Sequence, residues 1–347
     1  MILGIFLYCA VVAGLAAAVT YGVARRRLLL DHPNERSSHA TPVPRSGGLG
    51  IVTATVLGML ALGIDGHPAV LRDNAFFAVL LGGLIAAMGG FADDVSTRSF
   101  LFKLGVQSAA GGIAIALGLV VDTLYIAGIG PVHLGAFGPV VTLLWLVGMT
   151  NAYNFMDGID GLAGGTAVIA GIFLTLAAIN LAQINESTIA CTLAAASLGF
   201  LVFNLPPAKI FMGDVGSQFL GFGFAATGVL MARYDTTGTL ILLVPLLLFH
   251  FIFDTAYTAI RRARLGENVT QAHRSHLYQR FAHSGFGHGR ATALLSAIAV
   301  LQGAGALWMV QLPPASRPLV FLPALALQLV YLCVVVRREN AKARASA

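Results

Sequence analysis

Apolar residues run through this chain in long stretches divided by short polar turns. Eleven stretches stand out, at 1–24, 47–64, 74–91, 101–120, 139–155, 163–182, 188–203, 217–233, 238–260, 289–310 and 317–336. Each is close to the ~20 residues a helix needs to cross the hydrocarbon core of a bilayer. The pattern predicts an all-α polytopic membrane protein of about 10–11 transmembrane helices. No polar stretch is long enough to hold a separate core, so residues 1–347 are expected to form one integral-membrane domain. Met1 to Ala24 has no basic n-region and no convincing cleavage site, and reads as a first membrane helix rather than a removed signal peptide. Val121 to Pro139 departs from the pattern: its short β-type runs broken by glycines predict a small hairpin, with His133 in a structural role.

Composition overrides the two soluble domains that a length of 347 residues would suggest. Charged residues are only 10%, and mean hydropathy is +0.82, against about 25% charged residues in soluble proteins. The loops at one side of the expected helices hold 18 of the 21 Lys and Arg, leaving Arg72, Arg233 and Arg317 on the other. The positive-inside rule makes the basic side cytoplasmic, with the N-terminus outside and the C-terminus inside. Cys9, Cys191 and Cys333 are scattered over apolar runs without metal-ligand spacing, and read as small buried hydrophobes.

The acids change the picture further. Five of the 15 Asp and Glu fall in three clusters, Asp93-Asp94, Asp157 with Asp160, and Asp214, each at the end of an apolar run. A carboxylate at the centre of a membrane helix costs roughly 2.5–3.5 kcal/mol on insertion scales. Acids at span ends avoid most of that cost and can meet on one side, here the basic side. Three acidic clusters there point to a divalent metal and phosphate chemistry.

Taken singly, the motifs differ in strength. The Asp93-Asp94 pair reads more readily as a solvated helix end than as a site, although adjacent acids need a cation or strong donors nearby. Lys103 begins the next helix, with Gln107 one turn later, and an ammonium there can hold a phosphate beside the carboxylates. In the run from Asn151 to Gly165, Asn151, Asn154 and Asp157 are spaced i, i+3, i+6, and Asp160 continues the row. Such a polar stripe lines a cavity rather than facing lipid. Asp214 and Ser217 suit a helix start, where Asp214 serves either as N-cap or in an anion site. Arg36 and Arg45, in the first basic loop, are candidates for a lipid phosphate. Asp254, inside the ninth run, needs a partner: His250 one turn earlier, or a cation. His273, Arg274, His276 and Arg280 form a basic cluster in the longest inner loop, suited to a diphosphate or sugar.

Together these motifs resemble the polyprenyl-phosphate N-acetylhexosamine-1-phosphate transferases. The match runs in order from Asp31 to about Arg290. It includes Pro-Arg-x-Gly-Gly at 44–48, Asp93-Asp94, Asn-x-x-Asn-x-x-Asp-Gly-x-Asp-Gly at 151–161 and Phe-Met-Gly-Asp at 211–214. One departure falls in the last large inner loop, where many members carry His-x-His-His and this chain reads His276-Leu-Tyr278-Gln279. That variant looks like the subgroup that starts O-antigen or related surface glycans, and bears on the choice of sugar.

The resemblance implies transfer of an N-acetylhexosamine phosphate, GlcNAc or a deoxy derivative, from a UDP-N-acetylhexosamine to undecaprenyl phosphate, releasing UMP, at the bacterial inner membrane. It implies Mg²⁺, with Mn²⁺ as a substitute, held principally by Asp214 and also by Asp94. Asp93 would position or deprotonate the acceptor, and Asp94, Lys103 and Arg45 would hold it. Asn151, Asn154, Asp157 and Asp160 would line the nucleotide or metal pocket, with His273, Arg274 and His276 at the diphosphate or sugar. With a second phosphate pKa near 6, the acceptor is mostly ionised at neutral pH, which favours direct attack over an aspartyl-phosphate. Expected partners are these two substrates and the lipid bilayer, no nucleic acid, and by resemblance alone a second copy in a homodimer. The leading non-enzyme alternative is a secondary transporter, but transporters carry coupling acids near mid-membrane in matched halves, and no internal repeat is found here.

Overall fold

The computed structural model describes residues 2–27, 29–31, 42–64, 73–268, 271 and 273–346. Thirteen helices are described: α1 (Ile2–Arg26), α2 (Gly48–Ile64), α3 (Asn74–Val95), α4 (Phe100–Ala116), α5 (Gly138–Phe155), α6 (Leu162–Asn180), α7 (Ile184–Asn204), α8 (Asp214–Ala232), α9 (Leu243–Leu247), α10 (Phe249–Arg264), α11 (Leu277–Phe281), α12 (Gly287–Gln311) and α13 (Phe321–Ser346). Two short antiparallel pairs complete the fold, β1 (Leu30–Asp31) with β2 (Val43–Pro44) and β3 (Thr123–Ile126) with β4 (Gly130–His133). The second is the hairpin expected between Val121 and Pro139. Arg36 lies outside the described residues.

The protein is an all-α polytopic membrane protein. Eight described helices are long and apolar enough to cross a bilayer, and α2 and α4 are shorter apolar helices. The ninth apolar run is not one straight span. It breaks at Leu248 between α9 and α10, whose axes differ by 71°. After the break, polar and apolar positions separate on two faces of α10, and the helix ends in Arg261, Arg262 and Arg264. Length and hydropathy alone do not register such a bend.

Helix α8 is the centre of the bundle: 94% of its most apolar window is buried, against 17% for α1 and 28% for the last span. It packs against α2, α3, α5 and α7. Between lipid-embedded helices, small residues let backbones approach closely, and α8 uses this repeatedly. A Cβ on Gly48 would lie 2.3 Å from Gly216 Cα, and one on Gly82 would lie 2.2 Å from the Phe222 ring. Leucines such as Leu3, Leu322 and Leu329 on the outer helices face outward, as lipid contact requires. The cysteines are less scattered than their spacing implied: Cys9 on α1 and Cys191 on α7 meet with Sγ atoms 3.0 Å apart.

Candidate active site

The site is assembled where α3 ends, α8 begins and the 44–48 loop crosses between them. That loop pairs with the stretch before α8 through Gly47 N to Phe211 O (2.9 Å), Gly48 N to Met212 O (2.8 Å) and Phe211 N to Pro44 O (2.8 Å). A Cβ on Gly90 would sit 2.2 Å from Asp214 O, so α3 must carry glycine there. Gly213 adopts φ +74°, which favours glycine, and its missing side chain leaves room for the Asp94 carboxylate.

Asp94 is saturated. Its Oδ1 accepts from Arg45 Nη2 (2.7 Å) and Asp214 N (2.9 Å), and its Oδ2 from Ser46 Oγ (3.0 Å) and Val215 N (3.2 Å). The side chain is 0% exposed. Asp94 thus occupies the positive end of α8 and ties three segments together. It is a clamp: four protein donors share its two oxygens, where the resemblance implied a metal ligand and acceptor-holding group. Arg45, expected at a phosphate, likewise belongs to the clamp. The α8 N-cap position is Gly213, not Asp214, and the first amides of the helix, Asp214 N and Val215 N, are taken by Asp94.

Asp93, one residue earlier, has a different environment. Its Oδ1 accepts from Arg98 N (2.6 Å) and its Oδ2 meets Lys103 Nζ at 2.7 Å. Lys103 also reaches Asp214 Oδ2 at 3.3 Å, so one ammonium bridges two of the three predicted acidic clusters. Gln218, one turn into α8, donates to the same Asp214 oxygen (3.3 Å). Gln107 exchanges hydrogen bonds with Asn151 and donates to Gln218, while Asn154 donates to Ser217 Oγ (2.8 Å). The polar faces of α4, α5 and α8 therefore meet, with Lys103 and Asp214 at their exposed edge.

The Asn-x-x-Asn-x-x-Asp-Gly-x-Asp row holds only in part. Helix α5 stops at Phe155, so Asn151 and Asn154 share a face while Asp157 lies in the turn beyond. Among the described residues no donor reaches the Asp157 carboxylate. Burial, followed by the neighbouring charges of Asp214 and Asp94, pushes it well above the usual carboxylate range. Asp160 is turned elsewhere. It meets His288 Nδ1 (3.2 Å), accepts from Ala208 N (3.0 Å), and its carbonyl accepts from Thr292 Oγ1 (2.6 Å). Burial alone would raise its carboxyl, but these hydrogen bonds outweigh burial and hold it low. Its contacts bind the 206–208 loop and α12, where the resemblance implied a place in the nucleotide or metal pocket. The cause is Gly161, whose φ of +76° ends the row and starts α6. Asn204, which no motif marked, fixes the same turn by accepting from Gly161 N (3.0 Å) and donating to Ile210 O (2.9 Å).

The basic loop closes over this turn. Tyr278 Oη donates to Phe155 O (3.0 Å), and a Cβ on Gly158 would come within 2.1 Å of that hydroxyl. His276 and His273 stack with centroids 4.8 Å apart, and Phe155 lies 6.0 Å from His276. Burial, then the charges of His276 and Arg262, depress the His273 pKa to about 4, so its ring is neutral at pH 7. Arg274 is half-buried beside them. His276 is bound to Asp254, while His250, the partner expected for Asp254, turns to Gln302 (2.7 Å).

A basic and acidic site at one end of a polytopic bundle, with this order of motifs, has known counterparts. The profile of "Glycosyl transferase family 4" matches residues 76–232, which span α3 to α8. The chain is 32% identical to the "Probable undecaprenyl-phosphate N-acetylglucosaminyl 1-phosphate transferase" of Bacillus subtilis, over 75% of this chain and 71% of that protein. It belongs to the polyprenyl-phosphate N-acetylhexosamine-1-phosphate transferase family. Among other members, the decaprenyl-phosphate N-acetylglucosaminephosphotransferase of Mycobacterium leprae is 32% identical over 81% of this chain and 78% of its own length. A phospho-N-acetylmuramoyl-pentapeptide-transferase of Latilactobacillus sakei is 33% identical over 55% and 62%. These relatives support a phospho-sugar transferase rather than a transporter.

For this transferase, the residues present suit a magnesium ion. Among the described residues no three His, Cys, Asp or Glu side chains are placed to form a protein cage. Mg²⁺ does not need one, because it is commonly held by one or two carboxylates together with water and substrate phosphate. Asp157, without a donor and within the field of Asp214, is the carboxylate such a cation would neutralise.

Proposed function

We propose that this chain transfers N-acetylhexosamine-1-phosphate from a UDP-sugar to a polyprenyl phosphate, here undecaprenyl phosphate, and releases UMP. The observation that carries this reading is the gathering of Asp93, Lys103 and Asp214 in one hydrogen-bonded group, with Asp157 adding its charge. Two anionic substrates must approach each other, and only a site that pairs cations with cation-binding carboxylates offsets their repulsion. Lys103 holds the acceptor phosphate, at whose oxygen the new bond to the β-phosphorus forms. The bond from that phosphorus to the bridging oxygen breaks, and UMP leaves with the electron pair. Asp93 orients Lys103 and the acceptor. Asp214 and Asp157 would hold Mg²⁺, which supplies charge neutralisation at the transferring phosphoryl group.

Loop 273–281 would meet the donor, with Arg274 as the cation because His273 is neutral at pH 7. We place the site at the cytoplasmic face of a bacterial inner membrane, because the loops of this end hold 18 of the 21 Lys and Arg. The relatives' names favour GlcNAc as the sugar; the product's proposed use, a lipid-linked surface glycan such as O-antigen, rests on the His276-Leu-Tyr278-Gln279 variant of the loop. The test is purified protein with undecaprenyl phosphate, Mg²⁺ and UDP-GlcNAc, UDP-GalNAc or deoxy analogues, with and without EDTA, following UMP release and label entering lipid. Metal-dependent transfer from one donor supports the reading. Binding of a UDP-sugar without turnover in folded protein overturns it in favour of a transporter.

A further inference from the structure

Asp254 is the one acid that the sequence places well inside an apolar run and that the site above does not use. It is 2% exposed. Its Oδ1 accepts from His276 Nδ1 (3.0 Å), Leu277 N (2.9 Å) and Thr258 Oγ1 (3.0 Å), and its Oδ2 from Tyr278 N (3.0 Å). His276, Leu277 and Tyr278 belong to the basic loop, more than 20 residues away along the chain. Two are backbone amides, which can only donate, and the hydroxyl gives its proton to the acid. With such partners the histidine proton belongs on Nδ1, which fixes the ring's tautomer and plane. The break at Leu248 makes this contact possible, since it turns α10 by 71° from α9.

We infer that Asp254 is a positioning residue, which seats loop 273–281 on the turn carrying Asp157. The connection is continuous. Asp254 holds the His276 ring and the amides of Leu277 and Tyr278, and Tyr278 reaches the Phe155 carbonyl and packs on Gly158. Asp157 lies between those two contacts. Through this path the acid fixes how far the loop stands from the Asp157 carboxylate, and hence the size of the donor site between them. Asp254 is buried and both its oxygens are taken up by Thr258 and the loop, so the role assigned to it is indirect. The inference rests on the proposed reading of the loop as the donor-binding element.

Two readouts separate the inference from that reading. Asp254→Asn keeps the shape but sets an amide NH₂ against one group of donors. Trypsin should then cut after Arg274 at least about tenfold faster than in wild type, whether or not the enzyme turns over. In transfer assays, the KM for the UDP-sugar should rise about tenfold or more, with kcat within about threefold and the polyprenyl-phosphate KM unchanged. Gly158→Ala, which unseats Tyr278 from the other side without touching α10, should reproduce that split. A merely structural role would lower the active fraction, and so kcat, with both KM values intact. Unchanged tryptic cleavage overturns the inference even if the wild type proves inactive. An active wild type whose donor KM is unmoved by both variants overturns it as well.

Discussion

The two ends of the bundle treat acids in opposite ways. At the hairpin end Asp73 pairs with Arg233 (2.9 Å), and Asp122 meets His133 (3.0 Å). Asp235 caps its own turn by accepting from Thr237 and from the amides of Thr239 and Leu240. Each of these three acids has its own partner or turn to hold. At the other end Asp93, Asp94, Asp157 and Asp214 come from three separate stretches and share Arg45 and Lys103. Carboxylates brought together beyond the cations available raise one another's cost, and an arrangement of that kind is kept for chemistry rather than for stability. The comparison also runs between neighbours: Asp94 is a clamp and Asp93, on the proposed reading, a working group, although they are adjacent in sequence.

The sharpest way to break this comparison is Asp214→Asn. UMP release should fall by about 10²-fold or more, the scale of losing one preorganised electrostatic partner, while thermal unfolding stays near wild type. Near-normal turnover would remove Asp214 from the metal site.

Asp94→Asn should act mainly on the fold. Removing one partner of a buried, fully bonded ion pair costs about 3–5 kcal/mol, read as a lowered unfolding midpoint in detergent. Asp93→Asn should cost clearly less, because Lys103 keeps Asp214 as a partner. Equal destabilisation by the two variants would erase the distinction between clamp and working group.

A smaller effect is expected from pH. His273 titrates at about 4 in the fold against 6.5 for a free imidazole. Its folded pKa is depressed, so its contribution to stability is complete above about 6.5 and is lost as pH falls toward about 4. Solvent screening reduces the size of this effect at a half-buried ring. His273→Gln should flatten the unfolding profile across that window, and a profile unchanged by the substitution would contradict the neutral ring. The smallest effect belongs to the hairpin end. Arg233→Gln removes a half-exposed pair and should cost at most about 1 kcal/mol, with kcat unaltered. A large loss of turnover would show that the two ends are coupled.

Much of this protein is legible in its sequence. All eleven apolar runs correspond to described helices, one of them broken, because each run must hide its backbone in helix wherever lipid surrounds it. The hairpin was marked by glycines. The candidate site was legible as a set of segments: Asp93, Lys103 and Asp214 do meet, and Asn154 bonds Ser217 in the first turn of α8. What the spacing does not carry is direction. Asp160 continues the helical count from Asp157, yet Gly161 turns it to His288. Gln218 was detectable one turn after Asp214, whereas nothing along the chain marked Asn204 or His288.

The sequence by itself determined the membrane fold and which short segments carry charge, because these follow from hydropathy over about 20 residues and from residue type. The tertiary structure decided which oxygen each donor takes. Asp94 became a clamp because Gly90 and Gly213 let three backbones close around it. Asp254 met His276 because α10 bends at Leu248. Among the described residues no donor reaches Asp157, and the charges of Asp214 and Asp94 bear on it. Hydrogen bonding reaches only about 3 Å, and no spacing along the chain reports which groups the fold brings within that distance.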